Sequence, residues 1–303
     1  MVSLTLKQLR YFDALSRTGH FGRAAELSAI SQPALSMQIK ELEAGLGTPL
    51  FDRSARQIRL TAFGEEFATR AREVLRLSDE LEDLGRMSRT QLAGRLRIGV
   101  IPTVAPYLLP QLITRVSVAY PDLDLHLRET ITPKLLQELS DGRLDCAIVA
   151  LPVSEPTLTE TALFSEDFVL VRPLCDAGLP VPSPDRLREM RLLLLEEGHC
   201  FRDQALAFCK TRNLQPRELL DGSSLTTLVQ MVGAGIGVTL IPEMAVAVET
   251  RLAPVAVAAF PAPRPSRQIG MVWRRSSPLA RQLLQLTEVV KACGTATEQS
   301  PAP

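Results

Sequence analysis

The sequence lacks an excess of charge of either sign: 34 Lys and Arg stand against 34 Asp and Glu in 303 residues. Overall charge therefore gives no reason to expect a nucleic-acid partner. It also lacks a long apolar run. Nothing approaches the ~18 consecutive apolar residues of a membrane span, and the longest candidate, Ala253–Ala262, is broken by Pro254 and Pro261. No membrane partner is expected. Met1–Leu6 is too short for a signal peptide, so the expected location is the cytoplasm. The five cysteines (Cys146, Cys175, Cys200, Cys209, Cys293) are odd in number and form no zinc-type CxxC pair. They exclude an extracellular disulfide framework and give no reason to expect a metal or other cofactor. What remains is a globular composition, 46% hydrophobic and 22% charged. At ~100–200 residues per domain, about two domains are expected.

The global charge balance hides a local one. Residues 1–60 carry eight basic residues against five acidic ones. This stretch reads as short helices with tight joints. Leu6, Leu9, Phe12, Ala14 and Leu15 mark one face of a first helix, and Phe21–Ser28 is a second, Ala-rich one. Ser31 before Gln32-Pro33 supplies an N-cap and an early Pro for a third, which ends near Gly47. Phe51–Leu60 alternates as a β-ribbon bearing Arg53, Arg56 and Arg59.

From Thr61, a capping residue followed by Glu65 and Glu66, the pattern becomes one long helix. Phe63, Phe67, Val74, Leu77, Leu81 and Leu84 form a stripe suited to pairing with a second copy. The alternative is a helix lying on its own domain. Beyond the polar, Gly-containing stretch Ser88–Gly94, strands and helices alternate. Arg95–Ile101, Asp124–Glu129, Cys146–Ala150, Phe168–Pro173, Leu192–Leu195, Gly235–Ile241 and Ile269–Trp273 read as strands. Helices fall between them near 106–120, 133–141, 201–211 and 226–233. Two α/β lobes with a cleft between them are expected. The expected organisation is a helical domain with its β-ribbon at 1–60, a linker and dimerisation helix at 61–87, a hinge at 88–94, a bilobed α/β domain at 95–293 and a disordered tail at 294–303.

Residues 19–51, GHFGRAAELSAISQPALSMQIKELEAGLGTPLF, read as helix, short turn and capped helix. In a helix-turn-helix the second helix enters the major groove by its N-terminal residues. Gln32 and Ser36 supply donors and acceptors there, and Pro33 suits a thymine methyl group. Lys40, the Ser31 hydroxyl and the arginines of the ribbon, Arg53 and Arg56 among them, suit phosphates. A generic three-helix bundle is the competing reading of the spacing. With FDALSRTGHFGRAAELSAISQPALSMQIKELEAGLGTPLFDRSARQIRLTAFG, RLRIGVIPTVAPYLLP and GAGIGVTLIPEMA, the chain resembles the LysR-type transcriptional regulators along nearly its whole length. The resemblance implies a winged helix-turn-helix, a long linker helix and an α/β regulatory part like bilobed periplasmic solute-binding domains. It also implies DNA contacts at Gln32, Pro33, Ser36 and Arg56. Met37 departs from many relatives, in which Arg is frequent at that position.

LLLLEEGHCFRDQALAFCKTRNL carries the second motif. Cys200 follows Gly198 and His199, precedes Arg202, and stands where a helix should start. A helix N-terminus and nearby cations stabilise the reactive thiolate. On residue types alone, a passive Cys200 stands beside a reactive one. GHCFRDQALAFC, HFGRAAE, GRLDCAIVA and RQIGMVWRRSSPL are similar to the peroxide-sensing members of the family. That resemblance implies oxidation of Cys200 by hydrogen peroxide, resolution by Cys209 as a disulfide, and peroxide contacts at Thr103, Thr132, His199, Arg202, Asp203 and Arg267. Cys146 corresponds to a family cysteine outside the switch, and Cys175 and Cys293 read as ordinary thiols. Thr hydroxyls can bind peroxide oxygens, and an Arg can stabilise the departing hydroxide.

The expected function is thus a regulator, not an enzyme. It would pair double-stranded DNA with hydrogen peroxide and assemble as a dimer of dimers. RNA polymerase and a cellular disulfide reductant are its further expected partners. A regulator answering a small organic effector in the interlobe cleft is the alternative, and a thiol peroxidase is the alternative of a different class. A solute-binding protein lacks support without a signal peptide.

Overall fold

Local capping signals set the first helices. Thr5 opens α1 (Leu6–Thr18) with a capping box: its hydroxyl accepts from the Gln8 N–H, while the Gln8 side chain accepts from the Thr5 N–H. His20 Nδ1 accepts from the N–H groups of Gly22 and Arg23 and so caps α2 (Phe21–Leu27). Ser31 caps α3 (Gln32–Leu46) through the Ala34 N–H, with Pro33 in the first turn. In this computed structural model the described residues are 4–52, 58–87, 92–187, 189–209 and 221–297. The chain divides into two compact units, residues 1–85 and 86–303.

In the first unit Leu9, Phe12, Leu15, Leu35, Ile39 and Leu42 turn inward from α1 and α3. β1 (Phe51–Asp52) and β2 (Arg59–Leu60) pair antiparallel, Phe51 opposite Leu60. Arg53 and Arg56 lie outside the described residues. Thr61 caps α4 (Ala62–Met87) through the Gly64 N–H and donates its own hydroxyl to the Pro49 carbonyl.

The expected single stripe on α4 divides in two. Phe67 meets Phe12 edge-on at 5.0 Å, beside buried Ala68 and Ala71. Arg72 pairs with Asp13 at 3.1 Å and Asp79 with Arg10 at 3.4 Å, holding this part of the helix on α1. Phe63, Val74, Leu77 and Leu81 stay exposed, and the Leu84 side chain lies outside the described residues. Spacing alone cannot separate the two sets, because 3.6-residue periodicity places them on neighbouring faces.

In the second unit β3 (Gly94–Val100), β4 (Leu123–Glu129) and β5 (Cys146–Leu151) run parallel, linked by α5 (Ala105–Ala119) and α6 (Thr132–Ser140). β7 (Leu192–Leu195), β8 (Asp221–Gly222) and β9 (Val238–Pro242) form a second parallel set, with α8 (Cys200–Phe208) and α9 (Leu225–Gly233) between them, α7 (Pro184–Leu187) preceding and α10 (Val246–Glu249) following. β6 (Leu158–Pro173) and β11 (Ser266–Arg274) run antiparallel and join the sets, giving the order β4-β3-β5-β11-β6-β9-β7-β8; β10 (Val255–Ala259) pairs with the far half of β6.

β6 is far longer than the expected Phe168–Pro173. Its first half, Leu158–Asp167, pairs with β11 and its second half with β9 and β10. Half-buried Thr159, Glu160 and Thr161 obscure the apolar pattern of that first half. α11 (Ala280–Thr297) is also unforeseen. It takes in Gly294–Thr297 of the expected tail, because Cys293 and Gly294 are buried and a Cβ on Gly294 would stand 2.3 Å from the Phe164 ring. β3 likewise begins at Gly94, the last residue of the expected hinge.

Gly64 carries the tightest approach in the first unit, since a Cβ there would fall 2.1 Å from the Leu50 carbonyl oxygen. Gly64→Ala should therefore destabilise that unit by about 1–3 kcal/mol. An unchanged urea midpoint would refute the close-approach account.

Candidate functional site

Two sites emerge, one in each unit. On α3, Leu35, Ile39 and Leu42 point inward, which leaves the opposite face outward. Gln32 and Lys40 on that face are exposed and Ser36 is half-exposed, a row with a four-residue repeat; Pro33 and Met37 form the adjacent exposed row. Ser31 is exposed, but its hydroxyl is engaged in capping α3. Glu43, at the far end of α3, accepts from the N–H groups of Leu50 and Phe51 at 2.9 and 3.1 Å and so fixes where β1 starts.

The thiol site lies at the start of α8. Gly198 adopts φ +93°, and a Cβ there would come within 2.9 Å of Ile131 Cδ1. Only glycine combines that conformation with such an approach. His199 is the N-cap residue but makes no side-chain cap, and Cys200, half-buried, is the first helical residue. The positive end of the α8 dipole lies at this position. Burial lowers the His199 pKa, opposed by Glu196, so the imidazole is neutral near pH 7. Arg202 Nη1 donates to the Leu195 carbonyl at 2.7 Å, tying α8 to the end of β7. Asp203 is exposed in the first turn.

The Gly198–Ile131 contact sets a second helix start beside this one. Thr132 opens α6, whose N-cap, Ile131, provides no side-chain hydrogen bond. The Thr132 Oγ1 is buried without a hydrogen-bond partner, as is Oε1 of Gln204, one turn along α8 from Cys200. Buried oxygens of this kind are normally satisfied, which marks them as groups awaiting a partner. Gln204 was not foreseen; its i+4 spacing from Cys200 was the available signal.

Thr103 and Arg267, expected together, are bonded to each other. Arg267 Nη1 donates to Thr103 Oγ1 at 2.7 Å and Nη2 to the Thr103 carbonyl at 3.0 Å. Arg267 also pairs with Glu166, Nε at 2.8 Å and Nη2 at 2.7 Å from Oε2, and both side chains are almost wholly buried. Glu166 Oε1 accepts from the Met244 N–H. Burial pushes the Glu166 carboxyl up, and Arg267 pulls it back. The guanidinium lies 5.3 Å from the ring centroid of Phe201, the residue after Cys200. Nearby, the Tyr107 hydroxyl donates to Glu249 at 2.6 Å, and burial together with that carboxylate pushes the phenol up. Sequence reading missed Glu166, Tyr107 and Glu249.

Cys209 is buried as the C-cap of α8, its N–H donating to Ala205. Nine residues of helix rise about 13.5 Å, so Cys200 and Cys209 are far apart, and all five cysteines are thiols. Burial, with Asp145 adding to it, pushes the Cys146 thiol well up; burial also raises Cys293. Both are therefore poor nucleophiles, whereas Cys175 is exposed. Among the described residues no His/Cys/Asp/Glu group could hold a metal ion, and no helix is long and apolar enough to cross a membrane.

Residues 6–65 match the bacterial regulatory helix-turn-helix protein, lysR family, and residues 89–293 the LysR substrate binding domain. A probable hydrogen peroxide-inducible genes activator of Streptomyces viridosporus is 41% identical over 95% of this chain and 93% of its own length. A full-length OxyR from Pseudomonas aeruginosa, with one cysteine changed to aspartate, is similar in structure. Its TM-score is 0.73 at 37% identity, over 95% of this chain and 98% of that one. A hydrogen-peroxide-bound OxyR of Corynebacterium glutamicum, with one cysteine changed to serine, aligns with a TM-score of 0.67 at 36% identity, over 97% and 93% of the two chains. The chain belongs to the LysR family of bacterial helix-turn-helix transcriptional regulators.

Proposed function

We propose that the chain is a DNA-binding transcriptional regulator that senses hydrogen peroxide through Cys200 and Cys209. One observation carries the reading: the two thiols occupy opposite ends of α8, the first at a helix N-terminus beside buried, unpartnered oxygens. The similarity to a peroxide-inducible activator and to a peroxide-bound OxyR supports it.

In the proposed chemistry the Cys200 sulfur attacks one oxygen of hydrogen peroxide. The S–O bond forms and the O–O bond breaks. Hydroxide leaves and takes a proton to become water, and a sulfenic acid remains. The Cys209 sulfur then displaces that hydroxyl as a second water while the S–S bond forms. Return to the dithiol takes two electrons and two protons from a cellular disulfide reductant. A peroxide presents two O–H donors and two acceptor oxygens. Thr132 Oγ1 and Gln204 Oε1 can accept; the Thr103 hydroxyl and an Arg267 N–H can donate and steady the departing oxygen. Neutral His199 is the chain neighbour of Cys200, Arg202 anchors the helix start, and Asp203 favours the helix dipole.

A disulfide needs Cα atoms within about 7 Å, so the pair closes only if α8 unwinds. Phe201, packed on Phe168 at 4.8 Å, and Phe208, packed on Phe260 at 5.0 Å, must then leave their seats. A single oxidation thereby selects between two discrete packings, as a switch requires and a turnover peroxidase does not. Thr103, Glu166 and Arg267 bond mainly to one another, which favours this reading over an organic effector.

The protein acts in the cytoplasm on double-stranded DNA and contacts RNA polymerase there. Residues 1–60 bind DNA, 61–87 pair two copies, and 95–293 form the regulatory part that joins dimers into a tetramer. On the DNA, Gln32, Pro33 and Ser36 meet base edges, while Ser31, Lys40, Arg53 and Arg56 meet phosphates.

Gln32→Ala and Ser36→Ala should each weaken specific binding by about 1–3 kcal/mol and relax sequence preference. Arg56→Ala should instead weaken all sequences evenly and reduce the salt slope. Wild-type affinity in both recognition-helix variants would defeat the docking model. Replacing Val74 and Leu81 by Asp should place like charges in the α4 seam and lower the sedimentation coefficient; unchanged oligomers would exclude this interface. Cys200→Ser should be unresponsive to peroxide, and Cys209→Ser should accumulate sulfenic or over-oxidised Cys200. Peptide mapping of peroxide-treated wild type without a 200–209 bridge would sink the mechanism.

A further inference from the structure

The most enclosed charges around the thiol site belong to Glu166 and Arg267. They are direct register partners across the antiparallel β6–β11 ladder, and their side chains are 5% and 0% exposed. A buried ion pair is a poor stabilising device, since apolar residues of the same volume often serve as well or better. Its value lies in geometry. Glu166 is itself fixed, with Oε1 taken by the Met244 N–H, and its Oε2 receives both Nε and Nη2 of Arg267. Two N–H groups converging on one fixed oxygen set the heading of a guanidinium, which one bond cannot do. With that edge held, the other end reaches Thr103, where Nη1 meets the hydroxyl and Nη2 the carbonyl. The Thr103 hydroxyl oxygen accepts from a cation, so its own hydrogen is a strengthened donor. The guanidinium also lies against the ring of Phe201, whose chain neighbour is Cys200.

We propose that Glu166 is a positioning residue for the oxidation of Cys200, holding Arg267 so that the guanidinium and the Thr103 hydroxyl are aimed together at the departing oxygen of hydrogen peroxide. This rests on the peroxide-sensing reading above. The step is unchanged: sulfur bonds one peroxide oxygen, the O–O bond breaks, and hydroxide leaves as water after taking a proton. Glu166 touches neither sulfur nor peroxide. Its loss therefore affects reaction with peroxide and not the general reactivity of the thiol.

The experiment compares two rates on the full-length reduced protein: Cys200 oxidation by hydrogen peroxide, and Cys200 alkylation by iodoacetamide, which has no O–O bond to polarise. Wild type must first show rapid peroxide oxidation at Cys200; failure there removes the sensing reading itself. In Glu166→Gln, which retains an acceptor for the Met244 N–H, the ratio of peroxide to alkylation rate should fall at least tenfold. In Glu166→Asp, which keeps the charge but shortens the reach by one methylene, it should fall less. Glu166→Gln combined with Arg267→Lys should be no slower toward peroxide than Arg267→Lys alone, because both changes act on one group. A ratio within twofold of wild type in both Glu166 variants, a parallel loss of both rates, or additive losses in the double variant would each overturn the proposal. Should Glu166→Gln fail to fold, the Asp variant decides alone: a lowered ratio supports the role and an unchanged one refutes it.

Discussion

A buried ion pair between two neighbouring strands organises the regulatory unit. Glu166 on β6 and Arg267 on β11 face each other where the strands that join the two parallel sets run side by side. Through them, Thr103 after β3, Met244 after β9 and Phe201 on α8 are gathered around one guanidinium and one carboxylate. Removing one member of such a pair leaves an uncompensated buried charge at a cost of about 3–5 kcal/mol, so the arrangement resists gradual deformation. Tyr107 and Glu249 add a second buried bond, between α5 and α10. The strands therefore act as a fixed frame, and the element free to change is the short helix that rests on it.

That helix sets the second constraint. α8 is nine residues long with a cysteine at its first position and another at its cap. Helical rise keeps the thiols about 13.5 Å apart, beyond the reach of a disulfide. A covalent bond of fixed length thus competes with a helix of fixed pitch, and both cannot be satisfied together. The aromatic seats of Phe201 and Phe208 are lost with the helix, so a change at one sulfur spreads into the packing of the lobe. Chemistry and conformation are coupled by geometry without a separate transmission path.

The first unit divides its labour by helix face. α3 buries Leu35, Ile39 and Leu42 and leaves Gln32, Ser36 and Lys40 outward, while Glu43 at its end fixes the start of the ribbon. α4 uses Phe67, Ala68 and Ala71 to rest on its own unit, then presents Val74, Leu77 and Leu81 outward. The exposed apolar residues lie on the face of α4 next to the one packed on α1. This is the pattern expected of a helix serving its own unit first and a second copy afterwards.

Much of this was legible in the chain itself, because local rules decide local features. Thr5, Ser31 and Thr61 announce their helices by capping. The α/β alternation follows from periodicity, whereas Cys200 and Cys209 are readable as a pair only through the resemblance to the peroxide-sensing regulators. Glu166 and Arg267 are 101 residues apart, and Tyr107 and Glu249 are 142 apart. No short-range pattern announces such partners. The polar first half of β6 is a strand only because β11 lies beside it, and Gly294 is buried where Phe164 leaves no room for a side chain. The sequence by itself determined the capped helices and most of the strand–helix alternation through spacing and caps. The tertiary structure alone decided which buried charges meet, which oxygens stay unpartnered and which face of α4 turns outward, because each depends on residues that only folding brings together.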